Sequence, residues 1–161
     1  MICCVTGHRP KGFLFSGEAS YTIYRRLLAH TIEELIHQGY DHFISGMAAG
    51  VDTDFASCVL DFQSKGASIT LEAALPYPIP TSKTATEREE ILSHCDTVSP
   101  ISPYYHGGCM EKRNRYMVDR ADLVLAVWNG TEHGGTWNTI QYARKQEKPI
   151  RFVLLQEIEK G

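Results

Sequence analysis

Five short stretches of this sequence hold unusual combinations of glycine, proline, aromatic and charged residues, and three of them carry groups suited to holding an anion. They are "GHRP" (7–10), "GMAAGVD" (46–52), "PYPIP" (76–80), "PISPYYHGG" (100–108) and "NGTEHGGT" (129–136). The fifth is the most suggestive. The start of a helix presents unpaired N–H groups and a partial positive charge. Glycine at that point lets a phosphate reach the backbone with no Cβ in the way. In "HGGTWNT" (133–139), Gly134 and Gly135 precede Thr136, whose hydroxyl can cap the helix or donate to a phosphate oxygen. Neither a G-x-G-x-x-G fingerprint nor a Walker-type phosphate loop is present, so tight packing or capping is the competing reading.

The other loops add charge and hydrogen-bonding groups. In "VTGHRP", Gly7 and His8 lead to Arg9, a candidate for a phosphate contact, and His8 can titrate near neutral pH. Gly46 and Gly50 bracket a turn of small residues, with Asp52 just beyond. An acid in a first helical turn stabilises the helix dipole, but it repels phosphate. If it faces a ligand, Asp52 is better placed to accept hydrogen bonds from ribose hydroxyls or a base amine. In "CMEKRNRYMVDRAD" (109–122), helical spacing puts Met110, Arg113, Asn114 and Met117 on one face. Arg113 and Asn114 thus interrupt an apolar stripe. A polar pair there needs partners, and a planar guanidinium can grip a phosphate or an internal acid. Tyr77, Tyr104, Tyr105 and Trp128 lie in or beside these loops and offer rings for stacking or packing. No Ser-His-Asp pattern and no metal-ligand spacing such as H-E-x-x-H occurs.

Alternating apolar and amphipathic stretches must carry these loops. Strands are predicted at 2–6, 42–45, 68–75, 96–99, 122–128 and 150–155. Helices are predicted from Glu18 to Gln38, over 51–65, from Thr84 to His94, from Cys109 to Arg120 and from Gly135 to Glu147. The first helix shows Ile23, Leu27, Leu28, Thr31, Ile32, Leu35 and Ile36 at helical spacing. The third opens with a Thr-x-x-Glu box, either Thr84 with Glu87 or Thr86 with Glu89. Strands alternating with helices predict one Rossmann-like three-layer α/β domain over 1–161, a mostly parallel sheet with helices on both faces. In that fold ligands bind beyond the carboxyl ends of the strands, and all five loops leave those ends.

Composition narrows the partners. With 161 residues and 43% hydrophobic residues the chain can bury its own core. No apolar run approaches the roughly 20 residues of a membrane span. The net charge of −3, with no basic stretch, weighs against a dedicated nucleic-acid binder. Five cysteines without a C-x-x-C pair predict a reduced, cytoplasmic chain with neither a disulfide framework nor a zinc site, and Cys3 and Cys4 are expected as small buried hydrophobes.

Together "TGHRP", "SGMAAGVD", "CMEKRNRYMVDRADLVLAVWNG" and "GGTWNTIQYA" resemble the SLOG superfamily of Rossmann-like nucleotide-binding proteins, above all its bacterial branch containing YpsA. The resemblance runs from "CCVTGHRP" to "KPIRFVLL". The first glycine loop is also similar to that of the DNA-processing protein A family. A further relative is the lonely-guy phosphoribohydrolases, whose R-K-x-x-M helix and P-G-G-x-G-T-x-x-E loop align with "RNRYM" and "GGT". That alignment puts Arg113 at the family's functional arginine and Thr139 at its catalytic glutamate. Threonine cannot act as that carboxylate, so Asp52, Asp54, Glu87 or Glu132 would have to replace it from another loop.

The resemblance implies a homo-oligomer that binds a nucleotide or nucleotide-derived small molecule as a sensor or regulatory module. The expected site comprises Gly7, Arg9, Gly46, Gly50, Asp52, Arg113, Asn114, Gly134, Gly135 and Thr136, with no metal. The alternatives are a hydrolase acting on a nucleotide's N-glycosidic or phosphate ester bond and, ranked lower, a protein handling single-stranded DNA.

Overall fold

A computed structural model describes residues 1–79 and 86–158. The chain runs β1 (Ile2–Gly7), α1 (Glu18–His37), β2 (His42–Ser45), α2 (Val51–Ser64), β3 (Thr70–Leu75), α3 (Glu87–His94), β4 (Thr97–Pro100), α4 (Cys109–Arg120), β5 (Leu123–Trp128), α5 (Gly134–Lys145) and β6 (Ile150–Leu154). Short 3-10 turns occupy Pro10–Gly12 and Leu155–Glu157. The six strands form one sheet in the order β4-β3-β2-β1-β5-β6, and every neighbouring pair is parallel.

Both faces of the sheet are covered, which explains the unbroken apolar strands. On one face Leu28, Ile32 and Leu35 of α1, Phe55 and Val59 of α2 and Ile91 of α3 pack with Cys3, Val5 and Phe43. On the other, Met117 and Val118 of α4 and Ala143 of α5 meet Cys4, Ile44 and Val124. Cys3 and Cys4 are buried on opposite faces, as small apolar residues.

Several local expectations are corrected. The buried stripe of α1 is Tyr24, Leu28, Thr31, Ile32 and Leu35, whereas Ile23 and Leu27 face outward. Tyr24 can take the inner position because its hydroxyl donates to Asp54 at 2.8 Å. Helix α3 is capped by Thr86, whose Oγ1 accepts from Glu89 N–H at 3.2 Å, the N-cap half of the second of the two boxes. The expected start at Thr84 lies outside the described residues. Helix α5 stops at Lys145, short of Glu147, because Glu147 turns into the left-handed region at φ 57°.

The chain builds outward from β1 through β2, β3 and β4, then crosses back through α4 to place β5 on the other side of β1. The loop after β1 leads to α1 on one face, and the loop after β5 leads to α5 on the other. A crevice must open between two such loops, at the point where the strand order reverses.

Candidate functional site

That crevice is present. A cleft of about 630 Å³ is lined by Thr6 and Gly7 at the end of β1, by His8 and Arg9 after it, and by Asn129, Thr131 and the residues from His133 to Thr136 after β5. Ala48, Asp52, Met110, Arg113 and Asn114 close its floor and side. A second lobe of about 430 Å³ adjoins it, sharing Arg9, Ala48, Met110 and Arg113 and adding Gly46, Tyr77, Thr86, Glu87 and Arg88. Of the ten residues expected at the site, nine line the two lobes. Gly50 alone does not.

The glycines divide into two kinds. A Cβ on Gly7 would lie 2.4 Å from the Val51 side chain, and one on Gly50 would lie 2.5 Å from the His8 carbonyl oxygen. Gly50 also sits at φ 105° and precedes the Val51 N–H that donates to that same carbonyl at 3.1 Å. These two positions join the post-β1 loop to α2, so packing accounts for them. Gly46 is small so that Arg113 fits, since a Cβ there would lie 2.8 Å from Nη1. Gly134 and Gly135 differ: among the described residues nothing comes within 4 Å of a Cβ at either, and only Gly134, at φ 89°, has a backbone reason to be glycine. The start of α5 is open, and no side chain caps it.

Of the two roles the sequence offered Thr136, capping is not the one it takes. His133 holds that position without a side-chain hydrogen bond, and Thr136 is the third helical residue, buried against the cleft. Thr139, one turn further, donates its hydroxyl to the Gly135 carbonyl at 2.9 Å.

Arg113 is 6% exposed. It donates from Nη1 to the carbonyls of Gly46 (2.5 Å) and Ala74 (3.3 Å) and from Nε to Asn114 Oδ1 (2.9 Å). Asn114 thus orients the guanidinium, using its carbonyl oxygen to do so. The nearest partner of Nη2 is Met110 Sδ at 3.9 Å, a weak acceptor, which leaves that edge of the fork available. Burial lowers the arginine's pKa, while nearby Asp52 favours its charge.

Asp52 is held from two sides. Its Oδ2 accepts from Ala48 N–H at 3.2 Å and its carbonyl accepts from Ser45 Oγ at 2.8 Å. The same serine oxygen accepts from Met47 N–H at 3.1 Å, tying down a turn in which Met47 takes φ 60°. Burial pushes the Asp52 carboxyl up to about 6, against the opposing pull of Arg113. Asp54, two residues on, is engaged elsewhere, accepting from Tyr21, Tyr24 and Arg25. Asp52 lines the main lobe and Glu87 the second; Asp54 and Glu132 line neither.

His8 is neutral in its setting. Its Nε2 accepts from Asn129 N–H at 3.0 Å, which places the proton on Nδ1, and burial lowers its pKa. Asn129 continues the link by donating to the Gly12 carbonyl (2.9 Å) and accepting from Thr131. The loops on either side of the crevice are thereby fixed to each other. Among the aromatic candidates, Tyr77 lines the second lobe. Trp128 is instead stacked on Trp137 at 5.4 Å and donates to the Thr131 carbonyl.

Sequence reasoning missed Arg88 as a lining residue. Arg88 sits in "TEREE" among acids, where it reads as part of a solvated helix face. Its place in the first turn of a helix that follows a central strand, at the ligand-binding edge, was the available signal.

An all-parallel doubly wound sheet with a cleft at its switch point defines this protein as a Rossmann-like α/β domain. More narrowly, the chain belongs to the YspA SLOG family, whose model matches residues 3–158. Relatives include the uncharacterised SPbeta prophage-derived protein YoqJ of Bacillus subtilis (strain 168), 30% identical over 137 residues covering 74% of this chain and 79% of that protein. A UPF0398 protein of Bacillus pumilus (strain SAFR-032) is 20% identical, covering 98% of this chain and 89% of its own. Among solved structures, DNA processing protein A from Helicobacter pylori, described for its single-stranded DNA binding mode, superposes with a TM-score of 0.66 at 16% identity. That match covers 94% of this chain and 64% of the other, and supports the fold.

Proposed function

We propose that this protein binds a nucleotide or nucleotide-derived small molecule in the cleft between the post-β1 and post-β5 loops and acts as a sensor or regulatory module. The observation that carries this reading is the start of α5: uncapped, faced by Gly134 and Gly135 with open space where a Cβ would sit, and bordering the same lobe as the Arg113 guanidinium. A phosphate there meets free backbone N–H groups, the helix dipole and an arginine edge together. Asp52 then faces the sugar or base and accepts its hydroxyl or amine hydrogens.

A thermal-shift panel of nucleoside mono-, di- and triphosphates, cyclic nucleotides and a single-stranded oligonucleotide tests this directly. A ligand at 100 times its dissociation constant stabilises the fold by about 2.7 kcal/mol. Selective stabilisation by a small nucleotide, lost in Arg113→Ala, is the expected result. No shift with any nucleotide would remove the proposal.

Single-stranded DNA is the second reading, favoured by the structural likeness to DNA processing protein A. A chain of nucleotides would present successive phosphates to the same arginines. Stabilisation by the oligonucleotide alone, falling steeply with salt, would favour it. A hydrolytic role rests on Asp52, whose carboxyl titrates near neutrality within the cleft. It predicts release of free base or ribose 5-phosphate that ceases in Asp52→Asn.

A further inference from the structure

The lining of the second lobe carries three arginines against one acid, Glu87, with Asp52 close by as a further counter-charge. Arg9, Arg88 and Arg113 all border it. Each lies within electrostatic range of the others: Arg9 and Arg88 both disfavour the charge on Arg113, and Arg9 disfavours that on Arg88. Among the described residues none of the three forms an ion pair. Asp52 and Glu87 are the acids beside them, and neither comes into ion-pair contact with an arginine of the lobe.

Arg88 carries the strongest sign of an unmet partner. Its Nε is buried, and among the described residues it has no hydrogen-bond acceptor. A buried donor left unpaired is costly, and more so on a charged group. Three guanidiniums gathered at one wall repel one another unless an anion sits among them. Such an arrangement is stable with an oxyanion bound and costly without one.

The two ends of the cleft are distinct. Gly134, Gly135 and Thr136 line the larger lobe and not the smaller, whereas Arg88 lines the smaller and not the larger. Arg9, Ala48, Met110 and Arg113 lie between them, common to both.

We propose that the second lobe is a separate anion subsite, with the Arg88 guanidinium as its central donor and Arg9 beside it. The ligand of the cleft accordingly carries two anionic groups set apart from each other, as a nucleoside bisphosphate does, rather than one phosphate alone. This rests on the nucleotide-binding reading above for the first group, at the start of α5, and adds the second. Tyr77, on the wall of the same lobe, borders the space beside that second group.

Nuclear magnetic resonance of the ¹⁵N-labelled chain reads the two ends independently, through the Gly135 amide and the Arg88 Nε–H. The latter signal is assigned by its loss in Arg88→Lys, which keeps the charge but has no Nε. Titrated with inorganic phosphate, both reporters are expected to move and to saturate at different concentrations. In Arg88→Gln the Gly135 titration should be unchanged, which also shows that the variant is folded. Adenosine 3′,5′-bisphosphate should move both reporters together, at a concentration about tenfold below that needed for phosphate.

Movement of Gly135 alone would leave the nucleotide reading standing and overturn the second subsite. Movement of Arg88 alone would remove the α5 site, and with it the two-group ligand. Silence of both reporters would remove both. A bisphosphate that moved only one reporter would likewise overturn the two-group ligand.

Discussion

Arg113 Nη1 donates to the carbonyl of Gly46 across 2.5 Å, and a Cβ on Gly46 would lie 2.8 Å from that same nitrogen. The small residue at the end of β2 and the buried arginine of α4 are thus one feature seen from two sides. The guanidinium occupies the space that a side chain would take. Its remaining edge stays turned to the cleft because its inner nitrogens are already bonded.

This separates the roles of two glycines. Gly46→Ala should drive the guanidinium off its carbonyl partners and destabilise the fold by about 1–3 kcal/mol, as overpacking does. Gly135→Ala meets open space in a helical turn, so stability should rise by about 0.5–1 kcal/mol. The same methyl group would obstruct a phosphate at the start of α5. Urea denaturation and nucleotide affinity, measured on both variants, check this: Gly135→Ala should lose affinity while gaining stability.

Asp52 gives the fold a pH dependence of defined sign. Its folded pKa, raised to about 6 from 3.8, means that the native state binds the proton more tightly than the unfolded chain. The stabilisation is complete below the unfolded value and is lost as pH rises through the folded one. It amounts to about 3 kcal/mol. Asp52→Asn should flatten the stability curve over this window. Denaturant midpoints at pH 4, 5, 6 and 7 make the measurement, and an unchanged slope in the variant would contradict the assignment.

Glu72 works in the opposite direction. Burial alone would raise its pKa, but hydrogen bonds from His42 and Tyr116 and the charge of Arg120 outweigh burial and hold it at about 2. Its contribution is full above the unfolded value of 4.5 and disappears as pH falls through the folded one. Glu72→Gln should cost about 2 kcal/mol at pH 7 and blunt acid unfolding below pH 4. Calorimetric melting temperatures across that range would detect both effects.

His8 sets a third pH limit, at the crevice itself. Its ring nitrogen accepts from Asn129 N–H and burial lowers its pKa. Protonation removes that acceptor. Stability from this contact is present above the unfolded value of 6.5 and falls as pH drops through the lowered folded one. Imidazole resonances titrated from pH 8 to 5 should show His8 charging below the ordinary histidine range. In a variant with His8→Gln the Asn129 amide should exchange faster with solvent.

The sequence by itself determined the order of elements, the parallel sheet and the edge at which the chemistry gathers. Apolar runs such as "DLVLAVW" and amphipathic ones such as Cys109–Arg120 have periods that declare strand or helix locally. The loops after parallel strands then share one edge by necessity. Helix ends were less legible, as at Thr86 and Glu147, because caps and left-handed residues depend on local geometry that several nearby residues satisfy equally well.

Only tertiary structure decided what each glycine is for. Gly7, Gly46 and Gly50 are required by Val51, Arg113 and the His8 carbonyl, while Gly134 and Gly135 face open space. All five look alike in sequence, since the neighbour that forbids a side chain lies on a different element. Arg88 was hidden for the same reason. A charge among charges reads as solvated until the fold buries its Nε beside Arg9 and Arg113, and proximity across the sheet edge leaves no periodic trace in the chain.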